Sequence, residues 1–513
     1  MSQDEEKGIP AMVPTGEDQN VQMHSSTGFF EHVSHGLKKL EKTMAYYNLE
    51  ARGIHRVEPS ERHSTKTLGY TQIVLFWTSI NLAANNITLG MLGPATYALS
   101  FTDCALTAVF GSILGSLPVA YFATFGPRSG NRSMVLARYS MGWYPAKLVV
   151  ILNLIVLLGY ALIDAVIAGQ ILSAVSPGGS MSTVVGIIIV AVITWGITTF
   201  GYSVFHYYER YAWVPQLVVL CVLAGVAGPH FDLATPSQGT WETIIGNRIS
   251  FFSLCLSAAI TYAGGAADVF VYYPEDTPSW KVFAATMLGL VSSFTFALLV
   301  GIGLGSGVAS IPAWESAYNA SQGALIVAGY QALGNFGSFC AVVVALGLIA
   351  NMIVPTYSSS VDFQVFGGWC NAAPRVVWNT VGVIIYTVCA IAGRESLAAI
   401  FTNFLALMGY WVAIWVAIFL EEHLIFRRLM HGMTWNWAAW NDREKLPLGA
   451  AALIAFLVGW VGSILCMAQV WYIGPIAGLV GANGADLGNY VGFSWAALVF
   501  APLRYLEVKR MKR

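Results

Sequence analysis

The chain has 513 residues, of which 56% are hydrophobic and only 10% charged, and its mean hydropathy is +0.62. Soluble domains carry about 25% charged residues, so this composition excludes a soluble globular protein and indicates a polytopic membrane protein. The net charge of −1 gives no sign of a nucleic-acid partner.

The first 69 residues are polar and of mixed charge, and they contain no apolar segment of the kind found in a cleavable signal peptide. They predict a cytosolic N-terminal tail that is largely disordered. Apolar residues recur among lysines at residues 29–47, which favours a short amphipathic helix. That helix would either lie on the membrane surface or be solvated, and the sequence leaves both alternatives open.

Twelve apolar runs follow the tail, and they predict an all-α membrane protein with 12 transmembrane helices. The runs cover residues 71–98, 103–125, 146–173, 183–200, 211–229, 249–272, 282–306, 335–361, 375–392, 397–420, 448–470 and 490–506. We therefore expect a ten-helix core at 70–420, a cytosolic loop at 421–447 and two accessory helices at 448–506. A short basic tail at 507–513 would be cytosolic.

Lysine and arginine placement predicts the orientation, because cytoplasmic loops of membrane proteins are enriched in these residues. With a cytoplasmic N-terminus, the outer loops hold only Arg248 and Arg394, so both termini are expected in the cytoplasm. The cytoplasmic segments then hold Arg128, Arg132, Arg138, Lys147, Arg210, Lys281, Arg375, Arg427, Arg428, Arg443 and Lys445. The outer loop at 307–334 contains Asn319 in an Asn-Ala-Ser triplet, a candidate glycosylation site that also arises by chance.

The first apolar run contains helix-breaking residues, namely Gly90, Gly93 and Pro94, near the amides of Asn85 and Asn86. Proline cannot donate a backbone hydrogen bond and clashes with the carbonyl four residues earlier. A broken helix is tolerated in a bilayer only where the freed backbone faces protein, water or a bound solute. We predict a break at residues 90–94, although a kink used for packing would give the same pattern.

A second break is predicted at Gly264 and Gly265 in the sixth run, and Pro355 is a third helix-breaking candidate in the eighth run. Paired discontinuous helices are typical of secondary transporters built from inverted repeats. Asn351 precedes Pro355 by one turn, so its amide could line a solute site, or it could instead bond between helices.

Asp164 lies in the middle of the third run, four residues after Tyr160, so the two share a helix face. An aromatic ring beside a carboxylate suits a flat solute that carries N–H donors or a positive charge. Ionisable groups inside the membrane mark solute or ion pathways, which makes Asp164 and Asp268 candidate proton carriers. Alternatively, Asp164 caps a neighbouring polar group and Asp268 is structural.

Motifs of other function classes are missing from the sequence. It contains no Walker loop, no HExxH motif and no dinucleotide fingerprint after a strand, so we expect neither an enzyme nor a nucleotide-driven pump. None of the seven cysteines forms a CxxC pair, and we expect no metal and no cofactor. Coupling to an ion gradient is the remaining energy source.

Several short segments resemble the fungal purine–cytosine permease branch of the nucleobase–cation symporter-1 family. They are Phe200-Gly201-Tyr202-Ser203-Val204, Glu209, Trp213-Val214-Pro215, Ala266-Ala267-Asp268, Tyr272, Pro274, Ile349-Ala350-Asn351, Pro374-Arg375-Val376-Val377-Trp378, Glu422-His423 and Arg427-Arg428. The resemblance runs through residues 70–510. It implies a LeuT-like fold of two five-helix inverted repeats plus two extra helices, and proton-coupled nucleobase uptake across the plasma membrane.

The expected substrate positions depart from the family pattern. Tyr160 and Asp164 stand where carriers of this branch have tryptophan and asparagine, and Tyr262 stands where they have a second tryptophan. Met352 follows Asn351 where the branch has a second asparagine, so one amide of a bidentate pair is lost.

We therefore expect a planar solute between Tyr160 and Tyr262, with Asp164 and Asn351 fixing its polar edge and Asn85 and Asn86 lining the same cavity. The predicted cargo is a purine, cytosine or a closely related flat nitrogenous metabolite. A pyridoxine-like vitamin importer and, less favoured, a solute sensor that does not transport are the alternatives. Sodium is the alternative coupling ion, and the sequence does not indicate an oligomeric state.

Overall fold

The computed structural model describes residues 53–62, 69–200, 202–430 and 433–511, with the backbone alone at residues 200 and 202–210. The amphipathic helix predicted at residues 29–47 lies outside this part of the chain. So does most of the predicted N-terminal tail.

The described chain is a bundle of helices with short connections. In the first half the helices are α1 (Tyr70–Asn81), α2 (Ala84–Tyr97), α3 (Phe101–Ala123), α4 (Phe125–Ser129), α5 (Ser133–Met141), α6 (Pro145–Val175), α7 (Thr183–Phe200), α8 (Tyr202–Ala227) and α9 (Trp241–Ile260). In the second half they are α10 (Ser279–Gly307), α11 (Pro312–Ala320), α12 (Gln322–Gly329), α13 (Asn335–Val365), α14 (Gly368–Ala372), α15 (Arg375–Gly393), α16 (Leu397–Glu421), α17 (Ala450–Cys466) and α18 (Gly488–Met511). A two-stranded antiparallel hairpin, β1 (Ala468–Gln469) with β2 (Tyr472–Ile473), joins the last two.

The predicted apolar runs coincide with these helices. Within the described residues, nine helical segments are long and apolar enough to cross a bilayer, and two shorter apolar helices lie at Thr183–Thr199 and Ala450–Cys466. The first run is divided between α1 and α2. The architecture is therefore all-α and consistent with twelve crossings.

The break in the first run lies earlier than predicted. Helix α1 ends at Asn81, Leu82 has φ −75° and ψ 62°, and Ala83 is extended with φ −133° and ψ 156°. Helix α2 then continues through Gly90, Gly93 and Pro94, so the prediction of a break at these three residues is wrong.

Close packing explains the glycines of α2. A Cβ atom at Gly90 would overlap the backbone of α10 at Leu298, and one at Gly93 would crowd the side chains of Cys104 and Phe251. Pro94 lies in the last turn before the helix ends at Tyr97, where the loss of one hydrogen bond disturbs little.

The contact between α2 and α10 also gives a prediction about stability, through a glycine on α10. Gly301 of α10 faces α2, and a Cβ atom there would overlap the carbonyl of Ile87. We expect Gly301→Ala to lower stability by about 1–3 kcal/mol, because two backbones would have to separate. Thermal melting of the purified protein in detergent measures this. Gly225→Ala in α8 is the matched control, since no atom lies within 4 Å of its Cβ position; equal melting temperatures for both variants would contradict the prediction.

The sixth apolar run is also interrupted. Helix α9 ends at Ile260, a 3₁₀ turn follows at Thr261–Gly264, and a second short 3₁₀ turn lies at Asp268–Phe270. Gly264 is required by packing, because a Cβ atom there would overlap Oδ1 of Asn153 in α6. Both the first and the sixth apolar runs therefore contain a stretch of irregular backbone.

Pro355 does not interrupt its helix, so its prediction as a helix-breaking residue is wrong. Helix α13 runs unbroken from Asn335 to Val365 and packs against α6, α8 and α15. The proline removes a single backbone hydrogen bond, and neighbouring helices hold the remaining turns in place.

A buried charge network joins the end of the ten-helix core to the last helix. A π-helical turn at Glu422–Leu429 follows α16, and Glu422 within it is fully buried. Its carboxylate accepts hydrogen bonds from Arg427 Nε at 2.8 Å and from Arg504 Nε at 2.9 Å. Glu507 of α18 accepts from the backbone N–H groups of Gly449 and Ala451 at 2.9 and 3.3 Å, where α17 begins. The accessory helices are thus anchored to the core.

Candidate functional site

A narrow cavity lies where α1 ends, between the second break, α6 and α13. It is lined by Phe76, Trp77, Val156, Leu157, Tyr160, Thr261, Tyr262, Gly265, Val269, Asn351, Val354, Pro355 and Ser358. Its volume of about 30 Å³ has room for about two water molecules. Three predicted site residues, Tyr160, Tyr262 and Asn351, are therefore brought together.

The two tyrosine rings are in direct contact. Their centroids are 5.9 Å apart and their planes are inclined by 34°. The Tyr160 hydroxyl lies 2.7 Å from the Thr261 hydroxyl and donates to the Ala258 carbonyl at 3.1 Å, at the end of α9. A flat ring stacked between two others needs about 7 Å between the outer centroids, so the rings must separate before a solute enters.

Asn351 connects the two broken segments. Its Nδ2 donates to the Ile80 carbonyl, close to the break after α1, and to the Tyr262 hydroxyl at 3.3 Å. The freed backbone of one break and an aromatic ring of the other are therefore held by one amide of α13. A solute that replaces either contact would disturb both segments.

Trp77 was not indicated by the sequence patterns. It is 2% exposed, lines the cavity, and packs edge-on against Tyr262 with centroids 6.0 Å apart. Its indole N–H has no hydrogen-bond partner among the described residues. Buried donors are normally paired, so a solute acceptor would explain it. No sequence pattern identifies Trp77, because the break that follows it one turn later was predicted at a different position.

Asn85 and Asn86 lie outside the cavity lining and serve the first break instead. The Asn86 side chain donates to the Asn81 carbonyl at 2.8 Å, and Asn85 Oδ1 accepts from the Asn86 backbone N–H at 2.8 Å. These contacts satisfy backbone groups that the interrupted helix leaves unpaired.

Asp164 is fully buried and also lies outside the cavity lining. Neither carboxylate oxygen makes a hydrogen bond of ordinary geometry, although the amide of Asn85 lies nearby. The carboxyl group is close enough to Tyr160 and Tyr262 to act on them electrostatically. An unpaired buried carboxyl group is costly, and it gains most from a solute that donates hydrogen bonds.

Asp268 lies at the other side of the cavity, after the second break. Its carboxylate accepts the backbone N–H of Ser133 at 2.6 Å, at the start of α5, and Arg132 donates to its carbonyl at 3.1 Å. The Asp268 carboxylate therefore lies at a helix N-terminus, whereas the nearby Arg132 guanidinium bonds to its main-chain carbonyl.

Asn319 is far from this site. It is exposed at the end of α11, and Ser321 of the same triplet accepts the backbone N–H of Ala324 at 3.0 Å as the cap of α12. The asparagine is therefore exposed to solvent.

Sequence comparison identifies relatives along nearly the whole chain. Residues 57–482 match the family described as permease for cytosine/purines, uracil, thiamine, allantoin. The purine-cytosine permease fcyB of Emericella nidulans is 34% identical, over 92% of this chain and 91% of the relative. The vitamin B6 transporter TPN1 of Saccharomyces cerevisiae is 31% identical, over 96% of this chain and 93% of the relative.

Solved structures share the fold. A closed conformation of MHP1, a nucleobase-cation-symport-1 family transporter, with bromovinylhydantoin bound, superposes with a TM-score of 0.60 at 14% identity, over 90% of this chain and 96% of that one. A Na⁺-coupled sialic acid symporter in a substrate-bound outward-open state gives a TM-score of 0.58 at 11% identity, over 93% and 98%. The LeuT-like architecture predicted from the sequence is confirmed.

Proposed function

Since the chain belongs to the family of permeases for cytosine/purines, uracil, thiamine and allantoin, we propose that it imports a flat nitrogenous compound together with a proton. The cargo class is a purine, cytosine or a closely related ring. Import proceeds by alternating access, with the two broken segments changing their packing around a fixed site.

The observation that carries this proposal is the convergence of Tyr160, Tyr262 and Asn351 at one cavity between two broken helices. Separated rings would stack on both faces of a planar solute. The Asn351 amide offers a donor and an acceptor to the solute edge, and the Trp77 indole offers a further donor. Asp164 and Asn85 would complete the polar edge once the solute separates the rings.

A coupling cation follows from the transporter class, because no nucleotide-binding motif is present in the sequence. A proton fits a site with several buried carboxyl groups, and Asp164 and Asp268 are the two candidates that the sequence indicates. Sodium is the competing ion, and uptake at constant pH with and without sodium separates the two.

The distribution of basic residues supports cytoplasmic termini, and membership of the permease family supports a plasma-membrane location. Only Arg248 and Arg394 would then lie in outer loops, together with the exposed Asn319. In this orientation residues 53–62 lie on the cytoplasmic side, where the Val57 N–H donates to the Gly130 carbonyl at 2.9 Å.

A vitamin importer of the pyridoxine type is the second candidate, and Asp164 is the observation that favours it. A carboxylate accepts hydrogen bonds and has no donor when ionised, so it suits a solute richer in donors or positively charged. The vitamin B6 transporter TPN1 is 31% identical to this chain, close to the 34% of the purine-cytosine permease fcyB.

Radiolabelled uptake in cells that lack their own carriers tests the function. Labelled adenine, cytosine and pyridoxine are each offered at several external pH values, with hypoxanthine, guanine, uracil, allantoin and thiamine as competitors. We expect saturable accumulation of one labelled ring that increases as external pH falls. Accumulation of any label eliminates a sensor without transport, whereas no accumulation of any of the three would overturn the proposal.

Trp77→Phe tests the cavity itself. The variant keeps an aromatic ring and removes one donor, so we expect KM to rise about fivefold, which corresponds to about 1 kcal/mol for a neutral hydrogen bond. Trp471→Phe is the control, since Trp471 is 61% exposed in the hairpin before α18. Uptake kinetics measure both, and a KM for Trp77→Phe equal to that of the control would contradict a role for the indole donor.

A further inference from the structure

Two buried carboxyl groups lie directly beyond the cavity. Asp362 of α13 is 1% exposed and Asp268 of the second broken segment is 5% exposed, and they are close enough to act on each other electrostatically. Ser358, which lines the cavity one turn before Asp362, lies close enough to Asp268 for its hydroxyl to act on that carboxyl group. The pair therefore adjoins the site at which the solute is expected.

The two carboxyl groups are compensated unequally. Asp268 has the backbone N–H of Ser133 at 2.6 Å and the positive charge of Arg132. Asp362 has the neutral Asn153 amide as its hydrogen-bonding partner, at 2.7 Å. Neither carboxylate forms a salt bridge among the residues described, so the difference lies in the hydrogen-bond donors around each acid. An added proton would therefore be held at Asp362 in preference to Asp268.

The charged and titratable groups around the pair are few. Arg132 reaches the pair from the loop before α5 and also donates to the Tyr357 hydroxyl at 3.3 Å. Arg375 lies over the Tyr357 ring at 4.6 Å, but its guanidinium donates to the Thr198 carbonyl at 3.0 Å, on α7. One cation thus serves two acids, and two neighbouring buried carboxylates do not both remain charged at low cost.

The hydrogen bonds of Asn153 provide a second, independent argument that this cluster can bind a proton. It is 1% exposed, and its Nδ2 donates to Asp362 and, at 3.4 Å, to the Gly264 carbonyl. Its Oδ1 has no donor within reach in the described part of the chain. The cluster therefore has more buried acceptors than donors, and an additional proton would supply what it lacks.

We propose that Asp362 binds the coupling proton, with Asp268 as its charged neighbour and Asn153 as its hydrogen-bonding partner; the proposal rests on the proton-coupled function above. The Asp362 carboxylate takes a proton from water in the open cavity and becomes a carboxylic acid. It returns the proton to water on the opposite side, so the charge balances without any other reactant.

The location of the two acids links this proton to the transport cycle. Asp268 belongs to the broken sixth segment, whereas Asp362 belongs to α13, which packs against α6. Movement of the broken segment relative to α13 changes the distance between the acids. Protonation of Asp362 therefore shifts the equilibrium between the two arrangements of the broken segment against α13. By thermodynamic linkage, the arrangement of that segment in turn changes the proton affinity of Asp362.

Asp362→Asn in the full chain, reconstituted in proteoliposomes, tests the assignment. The assay uses the labelled substrate identified in the uptake experiment. A pH gradient is imposed across the liposome membrane, and the side from which transport starts is the acidic side. We expect the unaltered protein to accumulate label several-fold above equilibrium. We expect Asp362→Asn to reach an accumulation ratio of about 1 while it still exchanges labelled for unlabelled substrate. Asp442→Asn, at an exposed cytosolic position, is the matched control and should accumulate like the unaltered protein.

Each other outcome has a defined meaning. Gradient-driven accumulation by Asp362→Asn equal to that of the control would overturn the assignment to Asp362. If Asp362→Asn does not fold, Asp362→Glu, which keeps a protonatable group, should accumulate label with a shifted pH dependence, and an unchanged pH profile would overturn the proposal. No accumulation by the unaltered protein would instead overturn the proposed function itself.

Discussion

Asp164→Asn is expected to change the substrate preference of the transporter, measured as the ranking of kcat/KM values among substrates. For a solute whose donors bond to the carboxylate, kcat/KM should fall by roughly 10⁴-fold, the order of magnitude seen when a site that requires a buried hydrogen bond loses it. A solute with a mixed donor and acceptor edge should lose little or improve, because an amide offers both groups. We expect this change in selectivity because Asp164 is fully buried and its carboxyl group makes no hydrogen bond of ordinary geometry, so its oxygens are left to bond with a solute.

Competition kinetics with the compound panel measure this change, and Asp276→Asn on an exposed turn provides the control. Relative kcat/KM values for all compounds within twofold of the unaltered protein would show that Asp164 does not contact the solute. Because the coupling proton is assigned to Asp362, the pH-gradient response of Asp164→Asn should remain, which separates selectivity from coupling.

Glu422→Gln is expected to cause the largest loss of stability among single charge-removing changes. Glu422 is fully buried and its carboxylate bonds to both Arg427 and Arg504. The amide would leave two guanidinium groups around a neutral side chain. Removing one partner from a buried ion pair costs about 3–5 kcal/mol, so little folded protein should reach the cell surface.

Melting temperature in detergent and surface abundance measure the effect. Glu444→Gln, which lies exposed in the loop before α17, is the matched control and should behave like the unaltered protein. The double variant Glu422→Gln with Arg504→Met should be less impaired than Glu422→Gln alone, since one uncompensated charge is removed as well. Identical melting of the two glutamine variants would show that the network contributes nothing to folding.

The membrane-spanning helices could be predicted from the sequence because hydropathy adds up over about 20 residues and needs no knowledge of neighbours. The position of the first helix break could not be predicted from the sequence. Leu82 and Ala83 contain no glycine or proline, and the break there is satisfied by contacts from Asn86 and Asn351. Gly90, which looked like a breaking residue, is instead required by the backbone of α10.

The candidate site was predicted only in part for the same reason. Tyr160, Tyr262 and Asn351 lie together as expected from the family resemblance, but Trp77 resembles any other aromatic residue of a membrane helix. The environment of Asp362 is formed by Asn153 and Arg132, which are more than 200 residues away in the chain. Nothing local in the sequence distinguishes such a carboxyl group from one that serves packing.

The contact between Tyr160 and Tyr262 also bears on how well the membrane remains sealed. With their rings touching, the cavity beside them has room for only about two waters, so a continuous file of water across the protein is interrupted at this level. Ions that need a hydrated passage would be blocked whenever cargo is missing. The leak of ions that is not coupled to substrate transport should therefore be small. Replacing either tyrosine with alanine should increase this leak, which would be measured as an ionic conductance in the absence of substrate.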